Sequence, residues 1–141
     1  MGFEAINTAA DDPRFNMPYS AAIKVTSGSI VFLAGITAAP VYHSHPHIAS
    51  EFDAIPKNAA DQATLAITSL REVLEAAGGS LADVVEVTRY IKDIAANQDA
   101  INRVLGAAFG DHRPASTTVE VVRLATDPRL VLELRAVAVI D

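Results

Sequence analysis

The 141-residue chain contains no cysteine. That removes a disulfide scaffold, a thiolate zinc centre and a cysteine nucleophile. It also lacks a basic excess: 11 Lys and Arg face 17 Asp and Glu, for a net charge of −6 and a pI near 5.1. A nucleic-acid glove displaces counterions with a basic face, so this balance argues against one. No uninterrupted apolar run reaches the roughly 18 residues that a spanning helix needs. The start, Met1-Gly2-Phe3-Glu4, has no basic segment followed by an apolar core, so no secretory signal is read there. A glycine-rich phosphate loop of Walker or dinucleotide type is missing too. What is present is a chain 50% hydrophobic and 20% charged, a balance that excludes disorder for most of its length. The expectation is one compact cytoplasmic domain over residues 1–141, large enough to hide about two-thirds of its unfolded surface without a staple.

Residues 7–18, with Asp11-Asp12-Pro13, read as an irregular lead-in. Ala21 to Val25 and Ser29 to Ala34 read as strands with Thr26-Ser27-Gly28 as the turn between them. Residues 40–56 form a polar loop carrying three histidines and Pro40, Pro46 and Pro56. Asn58 then caps a helix whose apolar stripe is Ala63, Ala66, Ile67, Leu70, Val73, Leu74 and Ala77, three or four residues apart. Gly78-Gly79 ends it, and Ser80 to Asp83 reads as a capped single turn. Val84 to Ile91 is rich in β-branched residues and reads as a strand. A second helix is predicted from about Asn97 to Phe109, on Ile101, Val104, Leu105, Ala108 and Phe109, with Gly110 as its stop. Strands over Ser116–Leu124 and Leu130–Ile140 close the chain, turning at Asp127-Pro128.

The order is β-β-α-β-α-β-β, with an optional short strand at Phe3–Ile6. It predicts an α+β sandwich with a mixed sheet and both helices on one face. In the last strand, Leu130, Leu132, Leu134, Ala136, Ala138 and Ile140 point one way, towards the helices. Val131, Val137 and Val139 point the other way with Glu133 and Arg135. Two helices cover one face only, so the second apolar face predicts an oligomer. The alternative is a sheet that curls into a barrel.

Several stretches, in their order and spacing, resemble the Rid family of small trimeric proteins, also called YjgF-like and once labelled endoribonuclease L-PSP. They are Gln62-Ala63, Leu74-Glu75-Ala76-Ala77-Gly78, Asp83-Val84-Val85, Tyr90-Ile91-Lys92-Asp93, Ile101-Asn102, Pro114-Ala115, Val119-Glu120-Val121, Leu124, Leu132-Glu133-Leu134 and Ala136-Val137-Ala138. The resemblance runs from about Pro18 to Ile140. It implies a chorismate-mutase-like fold, a homotrimer with clefts between subunits, and, for the best-known branch, hydrolysis of reactive imines and enamines. Tyr19 resembles the family's tyrosine at the cleft mouth, Gly35 its glycine, Asn102 its second-helix asparagine, and Glu133 the carboxylate that holds a water. Other positions depart. Ser116 stands where imine-deaminating members carry a carboxylate-gripping arginine, a planar fork suited to two oxygens. Thr118 replaces a frequent cysteine, Ala34 a serine, Ser69 an asparagine, and Arg135 a second glutamate. Val119-Glu120-Val121 fixes the register. Arg113 therefore does not slide into the arginine's place, because an odd offset in a strand points to the opposite face.

Imine hydrolysis needs a placed water, a group that orients or deprotonates it, and a proton for the departing nitrogen. Glu133, the only carboxylate of the last strand, is the candidate for the water; the plainer reading is an interface ion pair. Arg135, on the same face about 7 Å along, reads as an anion anchor or as the neutraliser of Glu133 or another interfacial carboxylate. His43, His45 and His47 alternate, so an extended backbone sets three imidazoles on one side. Zinc, nickel or copper binding, a loop over the cleft, and plain surface all stay open for them. His112 reads as a surface turn that could reach the cleft. Ser116-Thr117-Thr118 has no adjacent base, so no nucleophile is assigned, and Asp83, Asp93 and Asp99 receive no chemistry.

The resemblance thus leads to a Rid-like trimer hydrolysing a small imine, enamine or related reactive intermediate other than a standard 2-imino acid. The residues expected to act are Glu133 and Tyr19 as catalytic groups, with Gly35, Asn102, Ser116, Thr118 and Arg135 binding substrate. The partner is a small molecule, without nucleic acid, membrane, metal or cofactor. The alternative is a non-catalytic ligand-binding or chaperone-like trimer. A ribonuclease reading is opposed by the acidic charge.

Overall fold

A computed structural model describes residues 2–8, 14 and 17–141; most of the predicted lead-in, with Asp11-Asp12-Pro13, lies outside the described residues. The strands are β1 (Phe3–Ile6), β2 (Ala22–Val25), β3 (Ser29–Phe32), β4 (Val84–Lys92), β5 (Ala115–Val121) and β6 (Leu132–Ile140); the helices are α1 (Ala59–Ala76) and α2 (Ile94–Phe109). Four strands form one mixed sheet in the order β3-β6-β4-β5, with only β4 and β5 parallel. The α2 crossover joins those two, as a parallel pair requires. The chain is α+β, as its element order predicted, and the sheet stays open with β3 and β5 as its edges.

The predicted caps form. Asn58 accepts the Asp61 N–H at 2.8 Å to start α1. Its end is closed by Gly79 N–H donating to the Leu74 carbonyl, with Gly78 at φ +86°, a conformation that costs a Cβ-bearing residue. Ser80 and Asp83 make the reciprocal capping box of the following turn. The second helix begins at Ile94, earlier than Asn97. Its first amide is capped not locally but by the Glu120 carboxylate of β5, 26 residues away. The two strands flanking Thr26-Ser27-Gly28 do not pair with each other. Gly2 O accepts from Thr26 N and Ser27 N, so β2 pairs with β1 in a separate ribbon while β3 goes to β6.

The main core lies between the helices and one sheet face: Leu70 and Leu74 of α1, Ile101 and Leu105 of α2, and Leu132, Leu134, Ala136, Ala138 and Ile140 of β6. Leu130 is a correction, because it is buried in a satellite cluster with Ala39, Phe52, Ile55 and Leu124. The opposite side of β6 also differs from expectation. Val139 is only 2% exposed and Val131 packs against the main core. The uncovered apolar surface is instead Phe32, 72% exposed and cross-strand from half-buried Val137, with exposed Ile30 beside it.

Candidate functional site

The alternation of β4 sets Val87, Arg89 and Ile91 on the helix-side face, across from Ser116 and Thr118 of β5. Where α2 leaves this face open, a cavity of about 540 Å³ forms, lined among others by Tyr19, Arg89, Asn102, His112, Ser116 and Thr118. Tyr19 is carried there because Ser20 bonds the 113–114 turn, N–H to the Pro114 carbonyl and hydroxyl to the Arg113 carbonyl. Four of the seven predicted site residues therefore meet: Tyr19, Asn102, Ser116 and Thr118.

Arg89 organises the cavity. Its Nε donates to Thr118 Oγ1 at 2.8 Å and its Nη1 to Asn102 Oδ1 at 2.6 Å. Among the described residues its Nη2 has no partner, and no buried side-chain nitrogen or oxygen lacks one. Arg89 itself lines the cavity. Burial pushes the guanidinium below its ordinary pKa, yet an arginine stays charged near neutrality. The sequence reading missed it. The available signal was a charge at an inward position between apolar Val87 and Ile91.

Arg113 corrects an expectation. It lines this same cavity rather than pointing to the other face, because it lies in the turn before β5, where strand alternation does not yet apply. It is held by the Gly110 carbonyl. His112 reaches the cavity as well. Its Nε2 lies 2.6 Å from the Val84 carbonyl; a carbonyl only accepts, so Nε2 carries a proton and a neutral ring keeps Nδ1 as an acceptor.

The other three residues sit across the sheet. Glu133 pairs with Tyr90 in register and turns away from the helices. Gly35 lies against it: a Cβ built on Gly35 would stand 2.8 Å from Glu133 Oε2, so any side chain there would displace the carboxylate. Burial raises the Glu133 pKa above its ordinary value. Arg135 does not neutralise Glu133; it contacts Glu86 of the adjacent strand at 3.3 Å. In one copy, the candidate carboxylate and the candidate cavity are on opposite faces of one sheet.

Comparison with known proteins gives the same architecture. Residues 9–140 match the family model described as Endoribonuclease L-PSP. A RutC family protein of Pyrococcus abyssi is 37% identical over 122 residues, covering 86% of this chain and 85% of that one. The Escherichia coli protein named 2-iminobutanoate/2-iminopropanoate deaminase is 35% identical over 89 residues, 60% of this chain and 66% of its own. The crystal structure of the Rid-family protein YyfB from Yersinia pestis superposes with a TM-score of 0.80 at 27% identity, covering 99% of this chain and 100% of that one. With the model spanning nearly the whole sequence and the fold matched end to end, the chain belongs to the Rid, or YjgF-like, family.

Proposed function

We propose that the protein hydrolyses a small imine or enamine bearing an anionic group, in a site assembled between copies of a homotrimer. The observation that carries this reading is the Arg89 guanidinium, fixed by Thr118 and Asn102 on the wall of the cavity. A relative named as a 2-imino acid deaminase supports the reaction class. The substrate differs, because the cation has moved. Ser116 holds the position that resembles the family's arginine, whereas Arg89 pairs in register with Thr118, one strand across and two residues along. An anion gripped by Arg89 places the C=N carbon differently from that of a 2-imino acid.

In the proposed chemistry Glu133 takes a proton from water as the oxygen bonds to the C=N carbon and hands that proton to the nitrogen, giving a carbinolamine. The carbinolamine then collapses: Glu133 takes the hydroxyl proton as the C=O bond forms, the C–N bond breaks, and Glu133 delivers that proton to the leaving nitrogen, so ammonia and a carbonyl remain. Its raised pKa suits a group that must both take and give a proton. Because Glu133 and Gly35 lie across the sheet from the cavity, they serve the cavity of a neighbouring copy. The exposed Phe32 and Ile30, with half-buried Val137, supply the apolar cover between copies.

The test is ammonia release from enamines generated in situ, compared across wild type, Arg89→Met and Glu133→Gln. Glu133→Gln is expected to abolish turnover. Arg89→Met is expected to raise KM at least about tenfold, a loss of about 1.4 kcal/mol, below the roughly 2–5 kcal/mol of a fully buried charged contact. Turnover unchanged in both variants, or a monomer by light scattering, would refute the reading. Binding without ammonia release would make the protein a carrier.

A further inference from the structure

The 40–56 loop contributes nothing to the lining of the cavity, yet it holds the densest group of metal-ligating side chains among the described residues. His43, His45 and His47 each offer a ring nitrogen, and these atoms all lie within 4.8 Å of one another. The three rings form a triangle with centroids 4.8, 5.1 and 5.1 Å apart. We propose that these three imidazoles form a binding site for a borderline divalent cation, zinc foremost, with a fourth position open to water or an external donor.

Three features favour a built site over three solvated side chains. The first is the tautomer of His43. Its Nδ1 lies 2.8 Å from the Pro40 carbonyl, and since a carbonyl only accepts, Nδ1 carries the proton and Nε2 keeps its lone pair. This is the arrangement by which a backbone carbonyl orients a ligating histidine. The second is the floor. Phe52 is fully buried and meets the His43 and His47 rings edge-on at 5.1 and 5.6 Å, so two of the three rings rest on a fixed surface. The third is the frame. Ser44 N–H and Oγ donate to Glu51 at 3.1 and 2.9 Å, tying the histidine segment to the turn at Ala49–Phe52. Arg129 bonds that turn in its own right, through Asp53 at 2.9 Å and the Ala49 carbonyl at 2.8 Å.

Zinc binds imidazole nitrogen at about 2.0–2.1 Å, which sets ligand nitrogens about 3.3 Å apart in a tetrahedron. Side-chain rotation closes the present spacing, and the exposed His45 and His47 have room for it. A set of three imidazoles with no thiolate suits zinc, nickel or copper rather than calcium or magnesium. Glu51 is engaged by Ser44 and leaves the fourth position unfilled. The open alternatives for this segment, a loop over the cleft and plain surface, do not require the rings to converge.

The full-length protein, stripped with a chelator and dialysed, is titrated with zinc chloride by calorimetry at about pH 7.5, and retained metal is measured by elemental analysis. One equivalent per chain is expected. His45→Ala and His47→Ala should each weaken binding at least about tenfold, since losing a ligand costs no less than losing the 10–100-fold contributed by an outer partner. His45→Gln, checked by circular dichroism, guards against a folding defect and should bind as weakly as the alanine variant. Less than about half an equivalent bound, or affinity unchanged in the folded variants, would overturn the site. Because His112→Ala lies outside the triad, it should leave the zinc isotherm unchanged; loss of binding there would equally count against it.

Discussion

Gln62 is wholly buried at the start of α1, and its amide meets three backbone groups. Nε2 donates to the Pro56 and Arg129 carbonyls at 2.8 and 2.9 Å, and Oε1 accepts the Val131 N–H at 2.9 Å. One side chain therefore ties the helix start to the segment that leads into β6, two residues before Glu133. Gln62→Met keeps the shape and removes every polar atom. A neutral bond contributes about 1 kcal/mol net, and a buried group left alone costs about 1–3 kcal/mol. The three backbone partners are only partly buried, so the low end applies and the loss is about 3 kcal/mol. Burying a thioether in place of an amide returns about 1 kcal/mol. With a urea slope near 2 kcal/mol/M, the net of about 2 kcal/mol lowers the midpoint by about 1 M. Wild type and variant are compared at one protein concentration, because association adds to apparent stability. A shift below about 0.3 M with an unchanged slope would show that the three bonds do not fasten β6 as described.

Glu133→Gln separates stability from catalysis through pH. Burial raises the folded-state pKa of this acid, so wild type is least penalised while the carboxyl is protonated and loses stability as pH rises through that value. The variant should match wild type near pH 4 and unfold at higher urea near pH 7; a constant gap at both pH values would refute the burial argument. Gly35→Ala should leave stability within about 0.5 kcal/mol, because its Cβ meets only the mobile end of Glu133, at 2.8 Å from Oε2. Turnover should fall about tenfold or more as the carboxylate is displaced, since a 1 Å error in a reacting group can cost about 100-fold. Full activity in the folded variant would remove Glu133 from the mechanism.

The sequence alone determined whatever depends on neighbours within about four residues. The Asn58 cap, the Gly78 stop and the Ser80–Asp83 box are closed by local bonds, the α1 stripe is buried at Ala63, Ala66, Ile67, Leu70 and Leu74 but exposed at Val73 and Ala77, and the alternation of β6 marked Leu132 to Ile140 as core-facing. Order and spacing of short motifs gave the family. Tertiary structure decided what depends on distant partners. The start of α2 waits on Glu120, the partner of β2 is β1 rather than β3, and Leu130 leaves the β6 row for Phe52. The site followed the same division. Periodicity could put Arg89 on an inward face, but only the pairing of β4 with β5 and the placement of α2 bring Thr118 and Asn102 to its guanidinium. The split of Glu133 and Gly35 from the cavity is likewise a property of the sheet, because the two sides of a strand become the two sides of a layer only when its neighbours are in place.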